Sequence, residues 1–176
     1  MERINYLYTK QAVELSKTVH HPQAIYVQAW YDMVYMWQKT YFTVSDMAVA
    51  QVKIGWFYTM LQQETPPQQV PESFVLLYDT VQKIPALLQE TDNFLTALEE
   101  QDFTKAKAIL TIIIISIMQN YEAALLYRES QDDILSSKLL TRKTKAILCP
   151  LWLPFEDINY FAKFKGLCQF LYYSLF

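Results

Sequence analysis

The stretch that most limits the possible folds is residues 105–128, KAKAILTIIIISIMQNYEAALLYR. No charge falls between Lys107 and Glu122, and from Ala108 to Met118 only Thr111 and Ser116 carry a polar side-chain atom. Four consecutive isoleucines would suit a buried strand, because β-branched side chains pack well on a pleated surface. Length and punctuation favour a helix instead: no Gly or Pro interrupts residues 86–149, and both flanks show helical periodicity. A membrane span needs about 18–20 apolar residues, and Gln119 and Asn120 end this run too soon. A helix apolar on every side belongs in the middle of a bundle. Residues 105–128 are therefore expected to form one central helix, with residues 112–118 nearly closed to water.

The whole chain of 176 residues fits a single domain spanning residues 1–176, long enough to bury a proper core. Aromatic side chains make up 15% of it, a load suited to a large packed core or to a cavity for an apolar ligand. A net charge of −3 gives no reason to expect nucleic acid, whose phosphates call for a basic excess. Glu2 and Arg3, followed by mixed polar residues, do not read as a secretory signal. Cys149 and Cys168 alone make no disulfide framework, so a cytoplasmic location is expected.

Scarcity of glycine and histidine excludes several chemistries. Gly55 and Gly166 cannot build a phosphate-binding P-loop or a dinucleotide-binding turn. His20 and His21 are adjacent, so the HExxH metal motif is absent, and so is a GxSxG elbow. Any chemistry must rest on carboxylates, with or without a metal they hold.

Proline clusters and helical periodicity divide the chain into seven or eight helices, an all-α bundle. The first is expected over residues 4–19, ended by Pro22. The second follows from Gln23 to about Thr40 and is aromatic almost all round, with one polar stripe at Gln28, Asp32, Tyr35 and Lys39. Asp32 is either a solvated position or a carboxylate aimed into a cleft. A third helix, capped near Ser45 and Asp46, runs to about Gln63. Gly55 within it costs about 1 kcal/mol relative to Ala, which suggests that another helix or a ligand approaches closely there. The loop around Pro66, Pro67 and Pro71 leads to helices over residues 72–83 and 85–101. Asp102 is placed to cap the central helix.

Beyond it come Glu122, Glu129, Asp132 and Asp133; on a continuing helix, spacings of seven and four put Glu122, Glu129 and Asp133 on one stripe. Such a group could bind Mg²⁺, which takes oxygen ligands and substrate phosphates, or be a solvated helix end. The basic patch Lys138, Arg142, Lys143 and Lys145 is either a loop or a hold for a diphosphate or an anionic membrane surface. A last helix is expected from about Pro154, ending in the apolar run QFLYYSLF.

Three segments, in order, resemble the squalene/phytoene synthase family. IYVQAWYDMVY at residues 25–35 is similar to that family's first aspartate-rich helix, and KIGWFY at 53–58 to its K-L-A-W-W-R segment. RESQDD at 128–133, the basic patch and LPFEDI at 153–158 resemble R-D-x-x-E-D followed by L-P-x-E-D-L. The resemblance implies an isoprenoid-synthase-like all-α fold around an apolar cavity. It also implies Asp32, Glu129, Asp132 and Asp133 as catalytic carboxylates, with Asp32, Glu129 and Asp133 holding Mg²⁺. Tyr31, Tyr35, Trp56, Phe57, Arg142, Lys143 and Lys145 would then contact a prenyl diphosphate or other isoprenoid lipid.

Departures from the pattern bear on activity. Tyr31 and Tyr35 stand where two carboxylates of the first motif belong, Gln28 stands for its arginine, and Tyr58 for the arginine of the second segment. Transfer activity is therefore expected to be weak or lost, because several Mg²⁺ ions must neutralise a diphosphate. The alternative is a non-catalytic helical module that binds a partner protein or the inner face of a membrane through aromatic surface.

Overall fold

The computed structural model describes residues 17–44, 46–65, 68–130, 133–134 and 136–152. Among these residues there are seven helices and no strand: α1 Ala24–Thr43, α2 Met47–Leu61, α3 Glu72–Lys83, α4 Ala86–Glu99, α5 Phe103–Met118, α6 Tyr121–Ser130 and α7 Arg142–Trp152. The all-α expectation holds for them.

α5 is the centre. It packs against α1, α4, α6 and α7, and every residue from Thr111 to Met118 is buried. Two of its hydroxyls bond back into the helix: Thr111 Oγ1 donates to Lys107 O at 2.8 Å and Ser116 Oγ to Ile112 O at 2.7 Å. Asp102 caps the helix, its carboxylate accepting from Lys105 N at 2.9 Å. α1 presents Val27, Trp30, Tyr31, Val34, Trp37 and Tyr41 to the core at helical spacing, chiefly along α3. The aromatic load thus goes largely into packing, with Trp30, Trp37, Tyr31, Phe74 and Phe94 fully buried.

Four expectations need correction. The central helix is not continuous to Arg128: it stops at Met118, and α6 starts anew at Tyr121. Gln119 and Asn120 make the break. Asn120 Oδ1 caps α6 by accepting from Ala123 N at 2.7 Å. The Gln119 carboxamide donates to Leu139 O at 3.1 Å and accepts from Thr141 N at 3.0 Å, tying the break to the chain before α7. Secondly, residues 17–19 form a turn and bend rather than the end of a helix; residues 4–16 lie outside the described part.

Thirdly, the basic patch is partly helical. Arg142, Lys143 and Lys145 lie in the first turns of α7, which Thr141 introduces with its hydroxyl accepting from Thr144 N at 3.2 Å. Fourthly, no close neighbour among the described residues meets Gly55: a methyl group built there would find none of their atoms within 4 Å. The expected last helix from Pro154 lies outside the described residues.

Candidate functional site

The carboxylates named from sequence occupy different parts of the fold. Asp32 is exposed on α1 and lines an open groove of about 500 Å³ with Lys17, Gln28, Glu72 and Ser73. Neither Glu129 nor Asp133 lines that groove. Glu129 sits exposed near the end of α6. Asp133 lies past the end of that helix, so the stripe it was to share with Glu122 and Glu129 does not form. It organises a turn instead, accepting from Ser136 N at 3.3 Å through its side chain. Asp132 lies outside the described residues. Among the described residues, no three His, Cys, Asp or Glu side chains gather in a way that could hold a metal ion.

The remaining candidates also separate. Tyr31 belongs to the core: it is fully buried, and its hydroxyl donates to Ile147 O at 2.8 Å, joining α1 to α7. Burial, then the nearby Cys149, pushes its phenol far above the ordinary tyrosine range, so it stays neutral. Tyr35 is half-buried. Trp56 and Phe57 touch edge to face at 5.0 Å, and Phe57 also meets Phe74 of α3 at 5.2 Å. Trp30, beside Tyr31 on α1, is sealed in the core. On α7, Arg142 is exposed, while Lys143 and Lys145 are half-buried.

One ion pair escaped the sequence reading. Glu90 of α4 is only 3% exposed, and its Oε1 accepts from Arg128 Nη2 at 2.7 Å and Tyr121 OH at 3.3 Å. Arg128, part of the RESQDD segment, is thereby spent on clamping α6 to α4. The signal was present in the sequence: Glu90 shares a face with Leu87, Phe94 and Ala97, where a carboxylate needs a partner.

The most conspicuous surface is α2. Only Ala50, Ile54, Met60 and Leu61 of its fifteen residues are buried. Opposite them Val52 is 73% and Trp56 54% exposed, with Met47 and Val49 also open to solvent. At 100° per residue Val49, Val52 and Trp56 fall on one side, beside the open Gly55. Lys53 is the one charged residue in the helix. The nearby acids are Asp46, which caps α2 by accepting from Ala48 N at 2.9 Å, and Glu99, which bonds the Gln51 side chain.

No helix among the described residues is long and apolar enough to cross a membrane. No protein-family model matches the chain, and neither a curated protein nor a solved structure shows significant similarity to it.

Proposed function

We propose that this protein is a non-catalytic helical binding module, which holds a partner protein on the outer face of α2. The observation that carries this is the exposure of Val49, Val52 and Trp56 on one side of a helix with a single charge. Contiguous exposed apolar surface is unfavourable for a free monomer and marks interaction sites. Trp is a residue type enriched where proteins meet. An anionic membrane is the poorer occupant: Lys53 is the only cation of the helix and Asp46 caps its start, whereas lipid-seated helices are rich in Lys and Arg. The partner is therefore expected to offer an apolar centre.

The resemblance to squalene/phytoene synthases supports a second proposal: an isoprenoid-synthase-like fold that binds a prenyl diphosphate, with transfer weak or lost. It comes second because the described carboxylates are dispersed, so Mg²⁺ has no donor set among them and the leading reading runs without it.

A photo-crosslinking residue in place of Val52, used in the native cell, identifies the partner, which is then titrated in purified form. Trp56→Ala should weaken that binary complex about tenfold or more, as loss of a central aromatic anchor does. Affinity unchanged by both Trp56→Ala and Val52→Glu overturns the proposal, as does capture by acidic phospholipid vesicles in place of any protein. Turnover of farnesyl or geranylgeranyl diphosphate with Mg²⁺ at an ordinary enzyme rate, abolished by Asp133→Ala, would establish the prenyltransferase instead.

A further inference from the structure

The break at Gln119 and Asn120 opens a second groove, of about 420 Å³, between the start of α1, the end of α3 and the junction of α5 with α6. That volume lies within the usual size of small-molecule sites, about 300–1,000 Å³. Ile84 and Ile117 supply apolar wall, Tyr26 and Tyr121 aromatic wall, and Thr80, Ser116, Gln23 and Asn120 polar atoms. Two helices begin at this groove and two end there, so their dipoles largely offset one another. Among the described residues, the one full charge lining it is Lys83, and no carboxylate lines it.

Lys83 is held in place. Its Nζ donates to Tyr26 OH at 3.2 Å and lies 4.8 Å from the centre of the Tyr26 ring. That leaves further ammonium donors unspent, and Lys83 makes no ion pair among the described residues. Behind Tyr121, the Glu90 carboxylate is turned to Arg128 and so does not neutralise the groove. A fixed cation beside aromatic and aliphatic walls selects a ligand of opposite charge with an apolar body. One lysine balances one negative charge, which suits a carboxylate better than a diphosphate.

We propose that this groove binds a small amphipathic carboxylate, its charge on Lys83 and its apolar body against Tyr26, Tyr121, Ile84 and Ile117. The site is independent of the α2 face.

The test is a titration of the ¹⁵N-labelled full chain with 3-phenylpropanoate and, separately, with its uncharged amide, at one low ionic strength. The carboxylate should shift the backbone signals of Lys83, Ile84 and Tyr121 saturably and bind about tenfold more tightly than the amide, the gain of one charge-assisted hydrogen bond. Lys83→Gln should erase that preference while leaving the rest of the spectrum in place, since Lys83 is exposed. Tyr26→Phe, which keeps the ring and removes the tether, should reduce it by less. Val52→Glu should leave it untouched, which separates failure here from failure of the α2 proposal. Equal binding of acid and amide, shifts centred elsewhere, absence of saturation, or tighter binding of pyrophosphate at the same residues would each overturn the assignment.

Discussion

α5 and α2 are written in the same alphabet and end in opposite places. Each is apolar on nearly all sides: two lysines near its start are the only charges in α5, and Lys53 the only one in α2. Yet α5 buries every residue from Thr111 to Met118, whereas α2 leaves Val52 and Trp56 in water. The difference lies in their neighbours. α5 is flanked by α1, α4, α6 and α7; α2 touches α1 and α4 lightly and α3 through Phe57 and Phe74. An all-apolar helix declares that its surface favours cover. Whether its own chain provides that cover depends on where the other helices are spent.

A matched pair of substitutions tests this contrast most severely. Ile114→Asp buries an unpaired charge between packed helices and should cost at least about 4 kcal/mol, a large part of a domain's total stability. Val52→Asp, the equivalent change on α2, should alter stability by no more than about 0.5 kcal/mol. Thermal and urea melts of the two variants decide it; a cooperatively folded Ile114→Asp protein would remove the distinction between the helices.

Alkaline pH probes the buried side of the comparison alone. Burial pushes the Cys149 thiol up from 9.0 to about 12, with Lys145 offsetting a little, and burial followed by the Glu99 charge pushes Tyr41 up from 10.0 to about 12. Both folded values lie above the unfolded ones, so the folded state binds protons more tightly. The stability they contribute is complete below pH 9 and is lost as pH rises towards 12. Melting temperature should fall across that window. Cys149→Ala should move the onset from near pH 9 to near pH 10, where the tyrosines take over. An unchanged onset would mean that Cys149 is not shielded.

Arg128→Ala tests the clamp that closes α6 over α4. It leaves Glu90 buried with only Tyr121 as a partner and should cost about 1–3 kcal/mol. Adding Glu90→Gln should recover part of the loss, because no buried charge then remains; equal melts for single and double variants would argue against the clamp.

The smallest effect has the most informative sign. Gly55 has ordinary helical backbone and, among the described residues, open space where a side chain would go. Gly55→Ala should therefore stabilise the chain by about 0.5–1 kcal/mol, while weakening any partner that approaches the helix closely. Destabilisation in a urea melt would reveal a neighbour that the open face does not show.

Local signals were readable in advance. Asp46 and Asp102 cap the helices they precede, and most of the uncharged run, residues 110–118, is the buried centre, because a cap or an apolar face acts within one helical turn. The break after Met118 was not readable as such. Gln and Asn are tolerated inside helices, and Gln119 becomes a terminus through Leu139 and Thr141, some twenty residues away. α7 was obscured by its basic start, unfavourable at a helix N-terminus and outweighed here by burial of Ala146, Ile147, Leu148 and Leu151. The carboxylate stripe failed for a related reason: periodicity predicts a shared face only while the helix lasts, and α6 ends at Ser130.

Short-range spacing and the absence of charge are enough to make these segments helical and α5 interior. That α2 stays open, that Arg128 turns to Glu90 and that Lys83 overlooks a groove lined by no described carboxylate is written in no local pattern. Those outcomes depend on which helices meet. Meeting is decided by the summed burial of many faces at once, a quantity that no single stretch of the chain contains.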